Sequence, residues 1–168
     1  MKQPPISSLA VISDRHTCAL LDKDGTISWY CPATFDGAAI FSSLLDDEKG
    51  GFWHIDLVGC TFIKRQFEDR SSVLTTYFNA GDESYGLTDF MPLGATFRGI
   101  CRKVPIMPVD VNGEVLMKNN YGLEDTILDQ PSQRSIRLSG QGLWFHCSHE
   151  LRIDGDIIRY TIPAGQND

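Results

Sequence analysis

Acidic side chains beside turns are the first residues in this chain that could carry chemistry. Two carboxyl groups held about 5–9.5 Å apart can act as acid and base, or nucleophile, in glycoside hydrolysis. Asp36 follows Phe35 and precedes Gly37 and an apolar run. We expect it either to cap a helix that begins near Gly37, or to contact a partner domain or a sugar at the rim of an active site. Asp89 is expected to accept hydrogen bonds from backbone N–H groups at a strand end.

Aromatic side chains are the second candidates, because flat rings pack on the apolar C–H faces of sugars. On a strand over residues 26–31, alternation places Trp29 on the face predicted to be buried and Tyr30 on the opposite, exposed face. Trp144 is predicted to lie within an interior strand. Four residues are candidates for a substrate rim or a domain interface: Trp29, Tyr30, Phe35 and Asp36.

Histidine and cysteine side chains offer little metal chemistry. The segment His146-Cys147-Ser148-His149 puts Cys147 and His149 on one strand face, but two ligands do not complete a zinc site. We therefore predict no metal, and the sequence holds no phosphate-binding loop or nucleophile elbow that would suggest a cofactor. The cysteines are predicted to be free thiols of a reducing cytoplasm. They are Cys18, Cys31, Cys60, Cys101 and Cys147.

Composition excludes several classes of function. The chain has 168 residues, and its 15 basic and 22 acidic side chains give a net charge of −7 without basic clusters. This argues against nucleic acid as a partner. No run reaches the ~18 apolar residues of a membrane span. The first five residues lack the apolar run of a secretory signal, which also favours the cytoplasm.

The elements that would position these side chains are short strands separated by turn residues. Such spacing is typical of an antiparallel β-sandwich, so we predict an all-β single domain over residues 1–168. Residues 38–45 are the one segment predicted to be a short helix, and residues 121–131 are predicted to be a long loop. The predicted strands cover residues 17–21, 26–31, 51–56, 61–67, 72–79, 84–90, 97–104, 114–118, 133–138, 143–149 and 157–162.

The order of motifs resembles the N-terminal domain of glycoside hydrolase family 15, which contains glucoamylase, glucodextranase and trehalase-like enzymes. The resemblance covers residues 6 to about 125. It departs from the family pattern at Ser13, where glycine is usual, at Ser28, where aspartate is usual, and at Pro32, which follows Cys31 directly. The matching residues are Ile12-Ser13-Asp14, residues 17–21, residues 25–32, Phe35-Asp36, residues 41–45, Gly50 to Trp53, Arg65-Gln66-Phe67, residues 72–78 and residues 87–92.

The resemblance implies a role in hydrolysing α-glucosidic bonds with inversion, in maltodextrin, dextran or trehalose-like substrates. Family members carry both catalytic glutamates in a helical (α/α)6 barrel after a supersandwich-like β-domain, and nothing in residues 1–168 resembles that barrel. We therefore expect no catalytic residue in this chain, which would be inactive alone and would scaffold the helical domain of the same protein.

Two alternatives remain open from the residues. A free carbohydrate-binding module would bind an oligo- or polysaccharide through exposed aromatic rings. A structural domain would instead form a homo-oligomer through an open sheet edge.

Overall fold

The computed structural model describes residues 4–94 and 96–166 and is built almost entirely from antiparallel strands. Strands account for 46% of the chain and helical turns for 4%, which confirms the all-β prediction. The strands are β1 (Ala10–Ser13), β2 (Cys18–Leu21), β3 (Ile27–Tyr30), β4 (Phe52–Leu57), β5 (Thr61–Phe67), β6 (Leu74–Ala80), β7 (Glu83–Phe90), β8 (Cys101–Lys103), β9 (Val111–Leu116), β10 (Leu128–Ser132), β11 (Ser135–Leu138), β12 (Leu143–His146), β13 (Leu151–Asp154) and β14 (Ile157–Ile162).

These strands form two layers around one apolar core. One layer is a seven-stranded sheet in the order β1-β2-β3-β4-β9-β14-β13. The other contains a four-stranded sheet, β5-β6-β7-β8, and a three-stranded sheet, β10-β11-β12. The side chain of Trp53 on β4 contacts Arg102 of β8 and Phe145 of β12, so both smaller sheets cover the same face of the large one. Side chains from all three sheets meet in the core.

The hairpin from β2 to β3 forms where the sequence predicts it, but with a bulge that reverses one assignment. Leu20 pairs with Trp29 while Leu21 pairs with Ile27, so Ser28 is an extra residue on β3. One extra residue shifts the alternation of side chains to the other face. Tyr30 is consequently buried, with 5% of its surface exposed, and Trp29 is only half-buried. The predicted exposure of Tyr30 is wrong for this reason.

The helix predicted over residues 38–45 is also wrong. Only residues 43–45 form a turn, and the backbone before them bonds to other segments: Ile40 donates to the Tyr30 carbonyl, and Lys118 donates to the Ile40 carbonyl at 3.1 Å. Phe41 forms an isolated bridge with Tyr30. The segment therefore covers the end of β3, where Ala39, Ile40 and Phe41 are buried by sheet contacts that outweigh local helix propensity.

Three strands were not predicted. β1, β10 and β13 are short, and β10 occupies the end of the segment predicted to be a loop. The rest of that loop holds a single 3-10 turn at Asn120–Gly122, where Tyr121 has a φ of 62°. Each of these strands lies at the edge of its sheet, where only one neighbouring strand constrains the sequence pattern.

Gly113 on β9 allows Tyr160 to lie flat across the seven-stranded sheet. A Cβ atom at position 113 would lie 2.0 Å from Cζ of the Tyr160 ring. Tyr160 pairs directly with Gly113 and accepts a hydrogen bond from Nε1 of Trp53 at 2.9 Å. Because Gly113 has no side chain, the Tyr160 ring can cross β9 and reach Trp53. The hydrogen bond between them then fixes the position of the indole.

Replacing Gly113 with alanine should push the Tyr160 ring away from β9. We expect Gly113→Ala to lower the free energy of unfolding by about 1–3 kcal/mol, the usual cost of overpacking a core. Urea unfolding followed by tryptophan fluorescence measures this loss. Ser84→Ala, at the exposed start of β7, is the control and should stay within about 0.5 kcal/mol of the parent. Equal stability of the two variants would contradict this account of the ring.

Candidate functional site

A cleft of about 790 Å³ separates the four-stranded sheet from the three-stranded sheet. Residues 97–102, which lead into β8, form one wall, and residues 142–148, which contain β12, form the other. The floor belongs to the large sheet and its connections, with Tyr30, Trp53 and Met117. The sandwich topology therefore creates the cleft, because the second layer is divided into two sheets.

Aromatic rings make the floor of the cleft rigid. The rings of Trp53 and Phe145 meet edge to face at 5.1 Å, and Phe145 also packs against Tyr160 at 5.8 Å. Contacts between rings at these distances add to the stabilisation from burial alone. The hydrogen bond from Trp53 to Tyr160 leaves the indole one fixed orientation, with its face toward β8.

Arg102 occupies that face, and several partners hold its guanidinium group in place. Its guanidinium carbon lies 4.8 Å from the centre of the Trp53 ring. Nε donates to Oδ1 of Asp89 at 2.7 Å, and Nη2 donates to the Gly25 carbonyl at 2.6 Å. The side chains of Arg102 and Asp89 are only 1% and 0% exposed. The Arg102 side chain therefore connects β7, β8 and the hairpin turn before β3 to the Trp53 ring on the floor of the cleft.

Asp89 has a structural role different from the predicted one, because its carboxylate binds Arg102 rather than backbone N–H groups. Complete burial raises the pKa of the Asp89 carboxyl above its ordinary value, and the Arg102 guanidinium opposes the rise. A carboxyl group enclosed in this way is unavailable to a substrate. It positions the arginine instead.

The structure separates the four predicted site residues into two places. Tyr30 lines the cleft, where burial and the nearby Asp14 carboxylate raise the pKa of its hydroxyl to about 12. Trp29 packs against the Tyr121 ring at 5.9 Å on another part of the surface. Tyr30 is thus an uncharged residue on the floor of the cleft, and Trp29 is a half-buried residue that packs against Tyr121.

Phe35 and Asp36 lie together in the turn between β3 and residues 38–45. Phe35 is 56% exposed, which is unusual for so large an apolar ring. Asp36 accepts a hydrogen bond from the Thr34 hydroxyl at 2.9 Å and caps no helix, because none follows. The helix-cap interpretation of Asp36 is therefore wrong, and its carboxylate is exposed beside Phe35.

Trp144 was expected inside a strand of the interior, and this expectation is wrong. It lies on β12 with 57% of its surface exposed, and the Arg137 guanidinium sits 5.8 Å from its ring centre. The next residue, Phe145, packs on Trp53 in the core, so alternation along β12 directs Trp144 to the opposite, uncovered face. The alternation of Trp144 with the buried Phe145 and Cys147 was the sequence signal that could have predicted this.

A second, smaller cleft of about 480 Å³ shares Phe97 and Arg98 with the first and is also lined by Arg15 and His16. Its buried acid is Asp14, whose carboxylate accepts N–H bonds from His16 and Thr17 at 2.9 Å. Burial alone would raise the pKa of Asp14, but these two bonds and the charges of His16 and Arg98 hold it below its ordinary value. The Asp14 carboxylate therefore holds the backbone of residues 14–17 in place.

The larger cleft has walls for binding but lacks a pair of acids. No Asp or Glu is present among the described residues that line it.

In residues 4–94 and 96–166, no group of three or more histidine, cysteine or acidic side chains is placed to hold a metal ion. None of the five cysteines forms a disulfide. Within the same ranges, no helix is long and apolar enough to cross a membrane.

Comparisons with known proteins place these features in a family context. The family model for trehalase-like N-terminal domains matches residues 1–95. The chain is 36% identical to trehalase 2 of Sulfolobus acidocaldarius over 94% of its own length and 27% of the relative's. It is 30% identical to a trehalase of Thermoplasma volcanium, over 76% of its own length and 22% of the relative's. The chain thus spans about a quarter of the length of these relatives. No solved structure matches.

Removing the Asp89 carboxylate should leave the Arg102 charge buried without its partner. We expect Asp89→Asn to lower the free energy of unfolding by about 3–5 kcal/mol, as for other broken buried ion pairs. Urea unfolding of the purified chain measures this. Asp129→Asn, which breaks the exposed pair with Arg137, is the matched control and should cost about 1 kcal/mol or less. Similar losses in both variants would contradict the importance of the buried pair.

Proposed function

This chain belongs to the family of trehalase-like N-terminal domains, and we propose that it is the non-catalytic N-terminal part of a larger glycosidase. The whole enzyme would hydrolyse the α-glucosidic bond of trehalose or a similar glucoside. Residues 1–168 would form one β-sandwich domain that supports a helical catalytic domain of the same protein. The names and lengths of the archaeal trehalases support this choice over a glucoamylase or a glucodextranase.

The observation that carries the proposal is the absence of acids from the described part of the larger cleft. Glycoside hydrolysis requires two carboxyl groups on opposite sides of the scissile bond. Asp89 lies close to the cleft floor but is enclosed by Arg102, with no exposed surface. The acid and base would therefore come from outside residues 1–168.

The turn that holds Phe35 and Asp36 is the proposed contact with the catalytic domain. An exposed phenylalanine next to an exposed carboxylate offers an apolar anchor and a hydrogen-bond acceptor at one point of the surface. Trp29 supports the turn from behind, because Tyr121 contacts the Trp29 ring and donates a hydrogen bond to the Gly37 carbonyl at 2.9 Å. Tyr30 begins the same connection and anchors it in the core.

The activity of the polypeptide in two lengths tests the proposed division of labour. The protein purified from its source should be several times longer than 168 residues and should release glucose from trehalose. The 168-residue chain should release none, because it lacks the acid and base. Maltose and dextran are the comparison substrates. Glucose release by the short chain would contradict the proposal, and saturable quenching of its tryptophan fluorescence by millimolar trehalose would favour a carbohydrate-binding module.

Truncating Phe35 in the longer enzyme should distinguish a domain contact from a substrate contact. For a domain contact, Phe35→Ala should lower the melting temperature; about 1 kcal/mol shifts Tm by about 2–4 °C in chains of 150–250 residues and by less in a chain several times longer. KM for trehalose should not change. Phe67→Ala, on the edge strand β5 with 44% of its surface exposed, is the control for simple loss of an exposed ring. A raised KM with an unchanged melting temperature would place Phe35 at the substrate instead.

A further inference from the structure

We propose that the larger cleft is a docking site for one extended segment of polypeptide, which adds a strand between β8 and β12. Such a strand would join the four-stranded and three-stranded sheets into a continuous second layer. The inference rests on the proposed function in one respect, since the larger polypeptide supplies the segment.

Two unpaired strand edges face each other across the cleft. Among the described strands, β8 pairs with β7 alone and β12 pairs with β11 alone. No residue of β7 or β11 lines the cleft, so it lies on the open side of both edge strands. Both walls are also lined by every successive residue, 97–102 and 142–148. The strand residues among them, Cys101 and Arg102 of β8 and residues 143–146 of β12, are consecutive, and since side chains alternate along a strand, their backbone forms part of each wall.

The backbone groups of the two walls determine which kind of molecule can bind between them. A strand edge presents N–H and C=O groups at the repeat of the polypeptide, and an added strand satisfies them with its own alternating groups. An extended segment can pair on both of its sides, which is what two facing edges require. A sugar ring has hydroxyls in several directions and no such repeat, so this geometry favours a peptide.

Arg98 adds a charge to the site. Its side chain is exposed on the wall that leads into β8, and no acid is described on either wall. A carbonyl or carboxylate oxygen would accept a charge-assisted hydrogen bond from its guanidinium group. The structure therefore favours a segment that brings such an acceptor to this wall.

The rim of the cleft is apolar. Phe97 on one wall and Trp144 on the other are each 57% exposed. Apolar side chains at alternate positions of a docked strand would cover such rings and gain the free energy of burial. Exposed large rings beside open strand edges are otherwise a hazard for aggregation.

The longer polypeptide has enough chain to supply the occupant. The match to trehalase 2 of Sulfolobus acidocaldarius takes up 27% of that relative, so most of its residues lie outside the match. A segment supplied by the same polypeptide docks without the entropic cost of bringing two molecules together. We therefore place the occupant in the same chain rather than in a second copy.

Amide hydrogen exchange in the protein from its source, compared with the 168-residue chain, tests the proposal. Those amides of residues 99–102 and 143–146 that point into the cleft should exchange at least about tenfold more slowly in the longer protein, the factor that corresponds to about 1.4 kcal/mol. The edge strand β13 lies outside the cleft and is the internal control. Protected amides in β6 and β7 of both samples would establish that each is folded.

Alkylation of Cys101 by iodoacetamide gives a second readout. Cys101 is half-buried and lines the cleft, whereas Cys60 is also half-buried but lies outside it. A docked strand should slow the reaction of Cys101 in the longer protein and leave the reaction of Cys60 unchanged. Equal rates for Cys101 in both samples would count against docking.

The outcomes separate this inference from the proposed function. A longer, trehalose-hydrolysing protein with unprotected β8 and β12 amides would overturn the docking site and leave the proposed function intact. A source protein of 168 residues would overturn both. Protection that appears in the 168-residue chain as its concentration and mass increase would assign the cleft to a second copy. Protection produced by millimolar trehalose would assign it to a sugar. Each of the last two results also overturns the proposal.

Discussion

The buried ion pair of Arg102 and Asp89 is the contact on which the second layer depends. Two charges removed from water are tolerated only when each finds strong partners. Arg102 finds them in the Asp89 carboxylate, the Gly25 carbonyl and the face of Trp53, which belong to different elements. If any of these elements moved, a charge would lose a partner inside the core. The pair therefore sets the position of the four-stranded sheet over the seven-stranded one, and with it one wall of the cleft.

The bulge at Ser28 is a second constraint on the structure, because it determines which side chains of β3 face the core. Without the extra residue, Trp29 would point inward and Tyr30 would point to solvent. With it, Tyr30 packs against Phe41 and helps to form the floor of the cleft, while Trp29 supports the turn that carries Phe35. A single inserted residue thus supplies both regions for which we propose an interaction, the cleft and the exposed turn.

The surface of the domain resembles that of a part of a larger assembly. Its net charge of −7 is spread along the chain, yet large apolar rings stand exposed at Phe35, Phe97 and Trp144. Two of them flank a cleft between open strand edges, and the third caps an exposed turn. Since isolated domains usually cover such features, their positions agree with proposed contacts to further parts of the same polypeptide.

The sequence by itself determined the all-β class, the hairpin around Gly25 and the family, because turn residues and alternating apolar residues act over a few neighbours. It could not determine features that depend on distant partners. Residues 38–45 have helical propensity, but their hydrogen bonds go to Tyr30, Gly51 and Lys118. Asp89 and Arg102 carry no local signal of their pairing, and Trp144 is exposed because no other sheet covers its face of β12. Only the tertiary structure decided these, since burial and strand pairing are properties of the assembled sheets.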